Sequence, residues 1–62
     1  MLEAYDDLLT PEDCMEILQI GRNQIYTLLA EGELKAFRIG SRRWKIPKES
    51  VILFIRTQAN LL

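Results

Sequence analysis

Ile17-Leu18-Gln19-Ile20-Gly21-Arg22-Asn23-Gln24-Ile25-Tyr26-Thr27-Leu28-Leu29 holds the end of one apolar helical pattern, a break, and the start of another. Cys14 and Met15 lie upstream of Ile17 and Leu18 at helical spacing, and Ile25, Leu28 and Leu29 repeat that spacing beyond the break. Gly21 interrupts the two sets. The pattern therefore predicts a first helix ending near Leu18 or Gln19, a turn of three residues, and a second helix from about Arg22 to Glu31. Gly32 follows as a C-terminal stop, because glycine enters the left-handed conformation of a helix cap without a Cβ penalty.

Towards the N-terminus, Thr10-Pro11-Glu12-Asp13 reads as the start of the first helix. Thr10 can accept from free first-turn amides, Pro11 has no amide to leave unpaired, and Glu12 and Asp13 meet the positive end of the helix dipole. Residues 1–9 then form an acidic N-terminal segment ahead of the folded unit. Towards the C-terminus the period changes to two. Phe37 and Ile39 share one strand face with Lys35, while Arg38 shares the other with Leu34 and Ala36. Gly40-Ser41 supplies a turn, after which Trp44 and Ile46 fall on one face and Arg43 and Lys45 on the opposite one. Pro47 ends this second strand and can open a third helix with a core stripe of Val51, Phe54 and Ile55, ending near Thr57 or Gln58. Residues 59–62 read as a frayed tail.

The fold expected from these elements is a small α+β unit, mostly helical, with order α-α-β-β-α over residues 10–58: two short helices across a tight turn, then a two-stranded antiparallel hairpin, then a third helix. This is the plan of a winged helix-turn-helix. In such a unit the N-terminal end of the second helix enters the major groove of double-stranded DNA. Its exposed polar residues then become donors and acceptors for base edges and phosphates. Here these are Arg22, Asn23, Gln24 and Thr27, with Tyr26 between the polar and apolar faces. Arginine can grip guanine through two bonds, and asparagine or glutamine can do so for adenine.

Charge supports the same partner. Residues 35–48 carry six positive charges and no negative one, whereas residues 1–21 carry six negative charges and no positive one. The net charge of −1 hides this dipole. A phosphate backbone responds to local potential, so the basic strip suits nucleic acid despite the acidic total. On the wing the candidate contacts are Lys35, Arg38, Ser41, Arg42, Arg43 and Lys45. Trp44 shares a face with Ile46 and reads as core. The acidic front end reads as a solvated face turned from DNA. A solvated edge strand is the plainer reading of the basic hairpin, but selection for solubility alone mixes signs more readily than it clusters them.

Other classes are poorly supported. A chain of 62 residues forms one domain with a small core and no room for a catalytic cavity. There is no histidine, no Ser/His/Asp set and a single cysteine, Cys14. A disulfide framework, a zinc site and the usual general base are thus absent, so no enzyme activity, metal or cofactor is expected. Cys14 reads as a small core residue of a protein in a reducing cytoplasm. The longest apolar run, Val51 to Ile55, is far too short to cross a bilayer, and no signal-like segment opens the chain.

The chain resembles the excisionase-type winged helix domain, related to the MerR-like DNA-binding domain. The resemblance runs from about Leu9 to Ile55 through Leu9-Thr10-Pro11-Glu12, the turn from Ile17 to Tyr26, Gly32-Glu33-Leu34-Lys35-Ala36-Phe37-Arg38-Ile39-Gly40, and Arg43-Trp44-Lys45-Ile46-Pro47. It implies major-groove contacts from Arg22, Asn23, Gln24 and Thr27, and minor-groove or phosphate contacts from Arg42 and Arg43. Two positions depart from the family pattern: Gln19 stands where a glycine is usual in the turn, and Gly21 where a capping serine or threonine is common. A non-glycine left-handed residue costs about 1 kcal/mol, and glycine is a weaker but adequate N-cap. Ile52 and Leu53 are apolar where the family tends to be polar, and they suggest a partner-binding or self-association face. That face is an incorrect assignment if Ile52→Glu/Leu53→Lys leaves oligomerisation and partner binding unchanged.

The resemblance implies an excisionase, or recombination directionality factor, of a bacterial or phage mobile element. Such a protein binds and bends DNA near an attachment site in the nucleoid, beside an integrase and further copies of itself. A transcriptional regulator of phage or mobile-element type is the nearest alternative, and a protein-interaction module is the alternative from another class. An adjacent integrase gene favours the first, a divergent promoter carrying the site the second, and salt-insensitive binding the third.

Overall fold

The computed structural model describes residues 1–41 and 43–61; Arg42 and Leu62 lie outside the described residues. Along the chain run β1 (Leu8–Leu9), α1 (Pro11–Leu18), α2 (Arg22–Ala30), β2 (Phe37–Ile39), β3 (Arg43–Pro47) and α3 (Lys48–Gln58). The three helices and the hairpin appear in the order read from the sequence. The addition is β1, which pairs antiparallel with β3 through Leu8 opposite Pro47 and Leu9 opposite Ile46. The wing is therefore two strands of a three-stranded sheet ordered β1-β3-β2.

Local chemistry explains the helix starts. At α1 the Thr10 hydroxyl accepts from the Asp13 amide at 3.1 Å, and the Asp13 carboxylate accepts from the Thr10 amide at 3.2 Å, closing a capping box. At α2 Gly21 occupies the N-cap with extended backbone, and its amide donates to Gln24 Oε1 at 3.2 Å. Glycine offers no side-chain acceptor, so only half of such a box is built. Pro47 serves as both the last residue of β3 and the N-cap of α3.

All three helices end alike. Gln19, Gly32 and Asn60 take left-handed backbone at φ of 56°, 75° and 62°. The next amide in each case returns to a carbonyl five residues earlier: Ile20 to Met15, Glu33 to Leu28 and Leu61 to Arg56. This closure satisfies carbonyls that a helix end leaves unpaired. It also binds residues 59–61 to α3, where the sequence reading expects fraying, and the Arg56 guanidinium adds a bond to the Leu61 carbonyl at 3.0 Å.

The core consists of Leu9, Cys14, Ile25, Leu29, Leu34, Ile46 and Val51, one or two residues from nearly every element. Trp44, Phe54 and Ile55 pack on it from the side, as their spacing predicts. Leu9 is fully buried, so the folded unit takes in chain ahead of Thr10. The segment before it is held too. The Lys48 ammonium donates to the carbonyls of Leu2 at 3.1 Å and Tyr5 at 3.2 Å, and the Tyr5 hydroxyl bonds the Glu16 carboxylate.

Candidate nucleic-acid interface

Pairing within the hairpin decides which side chains share a face. Arg38 lies opposite Trp44, while Phe37 faces Lys45 and Ile39 faces Arg43. Directly opposed residues project to the same side of a sheet. One face thus carries Arg38, Trp44 and, nearer the core, Ala36 and Ile46; the other carries Phe37, Ile39, Arg43 and Lys45. Of β2's two faces, the one buried towards the core is that of Leu34 and Ala36. Phe37 and Ile39 stand 45% and 54% exposed among basic groups. The Arg38 guanidinium sits 5.0 Å from the centre of the Trp44 ring, a cation–π contact that holds a positive charge along the wing.

On α2, Arg22, Asn23, Gln24, Tyr26 and Thr27 are all exposed. Arg22 and Tyr26 are one turn apart on a common face, and Asn23 and Thr27 are the next such pair. The Thr27 hydroxyl donates to the Asn23 carbonyl at 2.8 Å, so its oxygen keeps accepting capacity while its proton is engaged. Gln24 uses its carbonyl oxygen on the Gly21 amide, leaving its amide group as donor.

Helix and wing meet at one cleft of about 240 Å³. It is lined by Thr10, Pro11 and Glu12 of the α1 start, Tyr26 of α2, and Arg43, Trp44 and Lys45 of β3. Tyr26 of α2 and the basic strand thus open on a common side. Arg22 joins them through Glu12, whose Oε2 lies 3.3 Å from Arg22 Nη1. Glu12 is the residue that sequence reasoning missed. Asp6 and Asp7 precede β1, whereas Glu12 pairs with the arginine of α2 and lines the cleft with the cations of β3. Only the tightness of the helix-turn-helix, which returns α2 beside the start of α1, could have signalled it.

Three other expected contacts are placed as follows. Ser41 is exposed at the hairpin turn, and Arg42 beside it lies outside the described residues. Lys35 does not line the cleft; it lines a second groove with Glu33, Ser50, Leu53, Phe54, Thr57 and Gln58. Leu53 is 53% exposed there, and Ile52 is half-buried beside it on α3. Lys48, counted in the basic strip, spends its charge on the carbonyls of the N-terminal segment.

A family model described as a helix-turn-helix domain matches residues 8–59, and the chain belongs to that family. The matched stretch starts at β1 and ends just past α3. A search of curated proteins and one of solved structures return no match. The domain is a DNA-binding one, and DNA is its partner. Among the described residues no helix is long and apolar enough to cross a membrane.

Proposed function

We propose that the protein is an excisionase, a recombination directionality factor that binds double-stranded DNA in a sequence-specific manner beside a mobile element's attachment site and bends it. The shared cleft, in which Tyr26 of α2 and Arg43 and Lys45 of β3 face one opening, supports the DNA binding, and the resemblance to the excisionase-type winged helix domain supports the use in recombination. With α2 in a major groove, Arg22, Asn23 and Gln24 address base edges, and the α2 amides attract a phosphate. The wing then falls on the neighbouring minor groove, where Arg43 and Lys45 hold the backbone. Contacts in two adjacent grooves offset a deformation cost of a few kcal/mol, which is how a small protein without catalytic groups can favour one recombination geometry. An integrase performs the bond breaking.

Footprinting on the attachment region of the element that encodes the protein, combined with a bend assay by circular permutation, tests this. Protection beside the core crossover site with position-dependent mobility is the expected result. Protection confined to a promoter without a bend replaces excision with transcriptional control by the same domain.

A further inference from the structure

Glu12 is a carboxylate placed in a cleft whose other charged groups, Arg43 and Lys45, are cations. It lines the cleft with Arg43, Lys45 and Tyr26, and among the described residues its partner is the Nη1 atom of Arg22 at 3.3 Å. The two side chains are 61% and 59% exposed, so the pair is a weak one that helps stability little. The place of Glu12 in the first turn of α1 suits the helix dipole, and its reach to Arg22 adds a contact that bears on binding. The contact takes one terminal nitrogen of the guanidinium. Among the described residues Nε and Nη2 have no partner, and those two donors form a fork that matches the O6 and N7 acceptors of guanine.

Resting on the DNA-binding reading, we infer that Glu12 is a specificity-determining residue. It positions Arg22 for a base and repels phosphate wherever no base repays the approach. On an arbitrary duplex, Arg22 finds no guanine and its easiest use is to grip a phosphate. Glu12 competes for it there and adds its own repulsion, lowering affinity. On a cognate duplex Arg22 keeps Glu12 and guanine together, so the carboxylate's repulsion is compensated. Like-charge juxtaposition against a wrong partner is a general route to specificity.

The test uses the full chain, a duplex selected by it from a random pool, and a random-sequence duplex of equal length. Glu12→Gln keeps the size and exposed setting of the side chain and removes its charge. Affinity for the random duplex is expected to rise about three- to fivefold, and affinity for the selected duplex to stay level or fall, the size of a single exposed charge effect. In the background of Arg22→Ala, Glu12→Gln should raise affinity for both duplexes equally, because there is no arginine left to position. A specificity ratio unchanged by Glu12→Gln, or changed as much without Arg22 as with it, overturns the inference while leaving DNA binding intact. Failure of the unaltered protein to bind any duplex overturns both.

Discussion

At Gln19 the backbone needs what glutamine supplies at a cost. Its φ of 56° and ψ of 47° lie in the left-handed region, and the Ile20 amide returns to Met15 only from that conformation. The resemblance locates this demand, because Gln19 stands where a glycine is usual in the family. Gln19→Gly is accordingly expected to stabilise the fold by about 0.5–1 kcal/mol, with urea denaturation as the measure and DNA affinity unchanged. No gain would show that the turn relaxes elsewhere. Cys14 gives a second expectation. Burial, and then the Asp13 charge beside it, push its thiol from 9.0 up to about 11. The folded state thus holds a proton that the unfolded state releases, so stability is complete below pH 9 and declines between pH 9 and 11. Denaturation across that window should show the decline, and a smaller slope in Cys14→Ala; equal slopes would place the proton elsewhere.

Elements were legible where their signals are local. Thr10 and Asp13 cap each other, Pro11 opens α1, and Gly32 closes α2, so the helix bounds could be read from single residues and their neighbours. β1 could not: two residues are too few to show an alternation, and Leu8–Leu9 becomes a strand only because β3 pairs with it. The hairpin was legible as alternation, but the buried face of β2 was set by where Leu34 enters the core, which lies outside the strand. In the same way the Glu12–Arg22 contact belongs to the packing of α1 on α2 and leaves no local mark. The elements also divide the work on DNA. On the proposed reading Arg43 on the wing meets the backbone, and Asn23 on the first turn of α2 meets bases. Arg43→Ala should weaken binding to all duplexes alike, whereas Asn23→Ala should relax preference at one base position by about 1–3 kcal/mol, read from affinities for a set of single-base variants. A uniform loss for both would refute this division.

At the scale of the molecule, the charge pattern turns from a count into a direction. Eight basic residues exist, but Lys48 is bound to the Leu2 and Tyr5 carbonyls, Arg56 to the Leu61 carbonyl, and Lys35 lines the groove on α3. That leaves Arg22, Arg38, Arg43 and Lys45, with Arg42 added on sequence alone. Six acidic residues between Glu3 and Glu16 oppose them at the front of the chain, and of these Glu12 reaches the cleft. If the four cations not given to a base, Arg38, Arg42, Arg43 and Lys45, each neutralise a phosphate, the logarithm of affinity should fall against the logarithm of salt with a slope near −3 to −4. Fluorescence anisotropy across a tenfold salt range measures it. A slope near −6 would mean that Lys35, Lys48 and Arg56 join the interface as well. A flat line would remove the phosphate backbone from recognition, and with it the reading of the basic hairpin as a wing.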